Sequence, residues 1–461
     1  MLCPGVRLRG WIGMPYAAVR SGDVKRLGRE QFEALLLCDG QTDISMFSEG
    51  KMSETLSALA EEGLICFCDT PGRLEQDQYY KHVDNRYFHG VYWSVTGRCN
   101  FRCRHCYLDA PDVGMGEMTH EEALSVVDQM AECGVNRLII SGGEPLVRAD
   151  LWDLIDRAVE KGIMIDQVYT NGWLLTDKVL DAFEAREVKP EFSISFDGAG
   201  WHDWMRGVKG AEKAALDALR RCRDRGFATN VEMCVHKGNK DSIRESLRVL
   251  AETGTGSVKM SEVSPTDLWR RNAEGNAMTT AEYYDAVLRY IPCFFEDGMP
   301  IDVLFGGVVW LYKGSGEYKP VAEFGDGSED CLKRHICGAV RSSCYIAPDG
   351  LLLPCMPIAA VPDRSLFPRI QDIGLRAALK DSFFMEFADR RVRDLADASK
   401  TCRECPYLLR CGGGCRACAV MGGERDLMGP DPSRCMMWKG GWLQKLHDVC
   451  DAAIAKFCRG S

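Results

Sequence analysis

The sequence predicts an α/β protein built on a partial (β/α)6 TIM-type barrel, with a small mixed domain before the barrel and a cysteine-rich region after it. Three observations carry that prediction. Between Tyr92 and about Ser264, short β-branched or apolar runs alternate with helix-length amphipathic segments, the pattern of βα units around a parallel sheet. The special residues of this stretch fall where the runs end, and loops at the C-terminal ends of barrel strands are where such folds keep their chemistry. The 23 cysteines are not spread evenly but cluster at 99–106, 331–355 and 402–435.

Residues 1–85 read as a small mixed unit. A hairpin is expected over Tyr16 to Arg26, then the helix "GREQFEALLLCDG", then a second helix, "KMSETLSALAEEGL", ended by Gly63 where a C-cap glycine belongs. A strand-like "LICFC" follows. This order is winged-helix-like, but residues 1–80 hold eight Lys/Arg against twelve Asp/Glu, which disfavours DNA binding. Residues 86–264 hold the six barrel strands, "VYWSV", "RLIIS", "DQVYT", "EFSIS", "TNVEMCV" and "GSVKMSEV", with helices opening near Thr119, Asp150, Thr176, Lys209 and Asp241. Residues 265–330 are expected to form a helical bridge whose Gly-rich end, "YKGSGEYKPVAEFGDGSED", serves as a linker or lid. Residues 331–461 are the cysteine-rich domain, closed by a helix from Trp438 to about Phe457.

Composition narrows the function. At 461 residues and 46% apolar content the chain can bury proper cores, and no stretch approaches the roughly 18 apolar residues of a membrane span. A cytoplasmic protein without a membrane partner is expected. The net charge of −10 and the lack of a basic stripe argue against nucleic acid. In a reducing compartment, thiols this numerous bind metal or do chemistry more often than they form disulfides.

The segment "SVTGRCNFRCRHCYLDA" puts Cys99, Cys103 and Cys106 in C-x3-C-x2-C spacing on the loop leaving the first barrel strand. Three thiolates serving four irons would leave one iron open for a small molecule, as a catalytic zinc keeps one vacant position. Taken alone, the triad is equally compatible with a structural zinc site or with chance in a cysteine-rich chain. It is not alone, and it resembles the signature of the radical S-adenosylmethionine (SAM) superfamily, whose further motifs follow in order. "SGGEP" follows strand two, and the resemblance implies that Gly142, Gly143, Glu144 and Pro145 meet the amino group of SAM's methionine. Asn171 in "YTNG" and Ser195 and Asp197 in "SISFDG" resemble the polar positions near the ribose and carboxylate. Asn171-Gly172 and Asp197-Gly198 are also ordinary turn dipeptides. Asn239 in "HKGNKDSI" matches a recurrent family residue, and "VKMSEVSP" lies where the family keeps its adenine pocket. What the resemblance implies is a 4Fe-4S cluster that passes an electron to SAM, releasing methionine and a 5'-deoxyadenosyl radical that abstracts hydrogen.

The second cysteine block reads Cys331-x5-Cys337-x12-Gly350-x4-Cys355, then Cys402-x2-Cys405-x5-Cys411-x3-Cys415-x19-Cys435. A pair of zinc ribbons is the alternative reading. The pattern resembles the SPASM extension of radical SAM enzymes, which implies two auxiliary 4Fe-4S clusters. Cys331, Cys337, Cys355 and Cys415 would hold one, and Cys402, Cys405, Cys411 and Cys435 the other. Cys344 and Cys418 have no matching place and either could replace an assigned ligand; the remaining cysteines read as core packing, with Cys293 the one not dismissed. His105 is expected to pack near the triad cluster.

SPASM proteins mostly modify peptides or proteins, and the N-terminal unit resembles leader-recognition domains of ribosomal-peptide maturases. A peptide or protein substrate with a leader segment, and a reductase, flavodoxin or ferredoxin as electron donor, are the implied partners. A sulfatase-maturing or other protein-oxidising enzyme is the second reading, and a non-catalytic iron-sulfur carrier the third. Glu262 and Asp302 are candidate acids or bases near the barrel mouth, and Arg206 in "GWHDWMRGVKG" is a candidate SAM or substrate contact.

Overall fold

The computed structural model describes residues 1–47, 49–68, 70–108, 114–422 and 426–458. Chain order begins with three strands, β1 (Arg7–Ile12), β2 (Met14–Arg20) and β3 (Asp23–Arg26), then helices α1 (Arg29–Leu37) and α2 (Lys51–Glu61), then β4 (Lys81–Arg86). These strands form one sheet in the order β3-β2-β1-β4, with β4 parallel to β1. Leu8, Ala18, Phe32, Leu35, Leu56 and Leu59 pack the helices onto it in a core of their own. The expected strand "LICFC" is reduced to a single bridge, Leu2 with Ile65, because the N-terminal segment offers it no longer partner.

The six barrel strands appear where the alternation puts them: β5 (Gly90–Ser94), β6 (Arg137–Ser141), β7 (Met164–Thr170), β8 (Glu191–Ser195), β9 (Thr229–Val235) and β10 (Ser257–Glu262). They pair parallel in that order. The helices between them are α3 (His120–Glu132), α4 (Leu151–Glu160), α5 (Asp177–Glu184), a short α6 (His202–Arg206), α7 (Ala211–Asp224) and α8 (Ile243–Glu252). Side-chain chemistry explains where α3 starts. Thr119 Oγ1 accepts from Glu122 N at 3.2 Å while Glu122 returns the bond to Thr119 N at 2.8 Å, a capping box that satisfies two helix-end donors. Because the strands are parallel, the loops after β5 to β10 all emerge at one end.

The sheet does not stop at six strands. After α9 (Asp267–Asn272) and α10 (Thr280–Glu296), β11 (Asp302–Phe305) adds parallel to β10, and β12 (Val309–Leu311) and β13 (Tyr318–Pro320) continue antiparallel. The bridge expected to be helical thus also adds three strands to the sheet, although only Tyr318–Pro320 of its Gly-rich end is strand. Its glycines serve tight turns between short strands, as at Gly307, Gly314 and Gly316, whose φ values of +77, +63 and +66° suit glycine. At the other edge, β14 (Ser343–Ile346) from the cysteine-rich region pairs parallel with β5, and β15 (Leu352–Leu353) pairs with β14. The result is one eleven-stranded sheet whose two ends are closed by chain from the second half. No described helix is long and apolar enough to cross a membrane.

Candidate active site

The loop after β5 carries Cys99, Cys103 and Cys106, and all three line one cavity of about 160 Å³ at the C-terminal end of the strands. The "GGE" loop after β6 is laid directly on it. Gly143 N donates to Thr96 O at 2.8 Å and Glu144 N to Arg98 O at 2.9 Å. A Cβ on Gly143 would stand 2.2 Å from Arg98 O and 3.0 Å from Cys99 Cβ, so any larger residue would push the triad loop away. Burial raises the Cys99 thiol to about 12, aided by repulsion from Cys103 and Cys106, so three thiols share a space that favours neutralisation by a cation or proton.

Of the residues expected to contact SAM, Gly142, Gly143, Asn171 and Ser195 line this cavity. Glu144 is buried behind it and its carboxyl is already engaged, accepting from Thr170 Oγ1 and Asn171 N at 2.8 Å each. Burial holds its pKa at about 7. Pro145 opens a short 3-10 turn, buried beside Glu144. Asp197 is also fully buried: Oδ1 accepts from Cys234 N at 2.9 Å, and Oδ2 lies 2.7 Å from Arg206 Nε. That guanidinium holds the carboxyl well below the usual range despite the cost of burial. Asn239 braces the same turn, donating from Nδ2 to Asp197 O at 2.8 Å. Glu144, Asp197 and Asn239 therefore shape the loops. Arg206, by contrast, reaches the cavity wall, with Nη1 3.7 Å from Cys103 Sγ. His105 lines the cavity too, and its pKa is lowered to about 4 by burial, which keeps it neutral.

A second cavity of about 430 Å³ starts at Cys106 and Tyr107 and runs between α9 and Val420–Met421 of the cysteine-rich region, offering a route from the triad to solvent. A larger space of about 550 Å³ lies between the N-terminal sheet and α3, and none of the triad cysteines lines it; of its charges, Arg9 pairs with Asp77 and Lys161 with Asp128. Glu262 ends β10 at the mouth, half-buried, with its pKa raised to about 7 by burial. Asp302 is not at the mouth. It opens β11, and in a parallel strand the first residue sits at the opposite end of the barrel, where it accepts from Lys313 N at 2.6 Å.

The cysteine-rich region holds two further thiol groups. Burial, then repulsion from Cys402 and Cys405, raises Cys435, and Cys411 is raised to about 11 by burial with Cys435 and Cys405 adding to it; these four form one neighbourhood. Cys337, Cys355 and Cys415 form the other, with burial foremost and Cys415 next in raising Cys355. Cys418 donates to Cys415 and lowers it to about 6. Cys331 is buried against Gly325, where the Leu409 carbonyl also crowds in. Cys344, expected as a possible replacement ligand, is instead buried on β14 beside Cys133. The three glycines between Cys411 and Cys415 all have positive φ, +64, +86 and +79°, and a Cβ would meet Phe324 at 2.3 Å, Leu395 at 2.0 Å and Asp431 at 2.5 Å. That tight turn presents the two flanking thiols to different groups. The signal that sequence reasoning lacked was Asp431, which caps the helix Pro432–Lys439 and accepts from Cys415 N at 2.8 Å.

Comparison with known proteins finds relatives in sequence and in fold. Residues 93–268 match the model of the Radical SAM superfamily. The chain is 26% identical over 339 residues to an AdoMet-dependent heme synthase of Methanosarcina barkeri, covering 71% of this chain and 90% of that protein. It is 27% identical over 361 residues to mycofactocin maturase MftC of Mycolicibacterium smegmatis, covering 77% and 84%. The structure of Streptococcus suis SuiB bound to precursor peptide SuiA superposes with a TM-score of 0.65 at 13% identity, covering 94% of this chain and 99% of that one, which marks a shared fold. With the match over residues 93–268 and the triad, GGEP and strand-end motifs in place along it, this chain carries a Radical SAM superfamily domain, the domain of enzymes that use SAM and a 4Fe-4S cluster.

Proposed function

We propose that this enzyme modifies a ribosomally made peptide, with Cys99, Cys103 and Cys106 holding the cluster that binds SAM. The residues present fit that cofactor: three thiols of one loop face one cavity, and the room beside Cys99 is space that a Cβ on Gly143 would fill. Bound together, cluster and SAM supply a 5'-deoxyadenosyl radical able to take hydrogen from an unactivated C–H bond. The chain's own residues do the rest. Gly142 and Gly143 allow close backbone approach, Asn171 and Ser195 offer polar contacts, and Phe101, Leu108 and Met356 line the cavity with apolar surface that keeps water from the site. Glu262, poised near neutrality at the mouth, is a candidate to hold a proton during substrate turnover.

The single observation that carries the peptide reading is the N-terminal sheet, which ends at β3, a strand whose only partner among the described strands is β2. Such an edge accepts an extended segment as an added strand, the mode suited to a leader. The maturase relative supports this reading; the heme synthase relative makes heme synthesis the second one. For the auxiliary clusters we assign Cys402, Cys405, Cys411 and Cys435 to one. Cys337, Cys355 and Cys415 serve the other, whose fourth place falls to Cys331 by spacing or to Cys418 by its contact with Cys415. A cytoplasmic setting with a reductase, flavodoxin or ferredoxin as donor completes the proposal.

Anaerobic reconstitution tests it. About twelve irons per chain are expected for three 4Fe-4S clusters, with 5'-deoxyadenosine released after dithionite and SAM, and release abolished in a Cys99/Cys103/Cys106→Ala variant. Supplied with precursor peptides encoded beside its own gene or with iron-coproporphyrin III, the enzyme should change the mass of a peptide only. Conversion of the porphyrin instead would move the assignment to heme synthesis.

A further inference from the structure

Arg206 is the last residue of α6, about nine-tenths buried, and it sits between a carboxylate and a thiol of the triad. Its Nε is 2.7 Å from Asp197 Oδ2, and its Nη1 is 3.7 Å from Cys103 Sγ. The helix that carries it is bolted to the triad loop. Arg104 N donates to Met205 O at 2.9 Å and Arg104 Nε to Trp204 O at 3.0 Å, while the Arg104 guanidinium stacks 4.6 Å from the centre of the Trp204 ring. Gly207, at φ +67°, follows so closely on Arg102 that a Cβ would stand 2.7 Å from its carbonyl. The Arg104 guanidinium is itself balanced by Glu274, 2.7 Å from its Nη1. His202 Nδ1 accepts from Asp197 N at 2.8 Å.

One fixed positive charge therefore faces the sulfur of Cys103 in a water-poor setting, with one fixed negative charge behind it. The His105, Asp197 and Cys234 donor atoms also lie within 4.8 Å of one another, but the guanidinium already balances that carboxylate, so they form the floor of the network. Charges in such a setting act far more strongly than in water, and hydrogen bonds to the sulfurs are among the levers that set an iron-sulfur potential.

We propose that Arg206 is a positioning residue that raises the reduction potential of the SAM-binding cluster through Cys103, and that Asp197 limits how far it does so. This rests on the proposed role of Cys103 as a cluster ligand. The step concerned is the gain of one electron, delivered by the external donor; no bond forms or breaks, the cluster becomes more negative by one charge, and the N–H groups facing Cys103 favour that state.

The experiment is an electron paramagnetic resonance redox titration of the anaerobically reconstituted holoenzyme, following the signal that changes on adding SAM, with iron counted in every sample. Arg206→Gln should shift the reduction equilibrium at least tenfold toward the oxidised cluster, about 59 mV for one electron. Arg206→Lys should recover part of that shift, and Asp197→Asn should move the potential the other way. Shifts of Arg206→Gln and Asp197→Asn in the same direction would mark a merely structural role and overturn the proposal. So would an unchanged potential with weakened SAM binding, which would make Arg206 a SAM contact. If Arg206→Gln takes up no iron, the Lys and Asn variants decide by the same signs. A parent enzyme with iron but no SAM-responsive signal would instead sink the assignment of the triad, a different failure.

Discussion

Glu144 illustrates what a motif residue does once it is folded. The resemblance implies an acceptor for the amino group of SAM's methionine; in the fold the carboxyl is buried and its oxygens accept from Thr170 Oγ1, Asn171 N and, at 3.2 Å, Leu146 N. It ties the loop after β6 to the loop after β7. Burial lifts its pKa from the usual 4.5 to about 7, so the folded chain holds a proton there that the unfolded chain gives up earlier. The sign follows: Glu144 favours folding at acid pH, its contribution falls as pH rises from about 4.5 to about 7, and it is flat above. Urea unfolding at about pH 5 and about pH 8 should reveal that slope in the parent and not in Glu144→Gln. The variant should also lose about 1–3 kcal/mol at the lower pH, because its amide NH2 faces a donor where an oxygen accepted.

At the level of elements, short segments are placed by one or two contacts that composition does not announce. The N-terminal sheet docks on the barrel through Trp11 of β1, which is 1% exposed and donates from Nε1 to Cys133 O at 2.9 Å. Gly134 makes room for it; a Cβ there would stand 2.6 Å from the indole. Trp11→Ala should cost about 3–5 kcal/mol, and the cost should fall on this docking. Limited proteolysis is expected to nick the variant within residues 1–85, while 5'-deoxyadenosine release by the core persists. Equal loss of both would mean that the two sheets fold as one unit. A helix start such as Thr119 was readable because capping is local chemistry, with acceptor and donor three residues apart. The role of α6 was not, since its partners lie on a loop about a hundred residues earlier.

For the whole molecule, the eleven-stranded sheet means that the cysteine-rich region is structural as well as chemical. β14 covers the free edge of β5, the strand that leads into the triad loop. A chain ended at residue 330 should therefore expose an unpaired edge and aggregate, which light scattering would detect; a soluble, SAM-cleaving fragment would mean that the barrel closes without it. The order of the barrel strands and the placement of the triad, GGEP and strand-end motifs at one mouth were legible beforehand. Each depends on periodicity or on spacing within a short stretch, so the chain carries it locally. The grouping of Cys402, Cys405, Cys411 and Cys435 came instead from the resemblance to SPASM proteins. What tertiary structure alone decided is of another kind: Asp302 lies at the end opposite the mouth, the helical bridge also adds β11 to β13 to the sheet, Cys418 meets Cys415, and Arg206 meets Cys103. Those outcomes depend on which distant segments pack together, and the free energy of that packing is shared among residues that no local pattern connects.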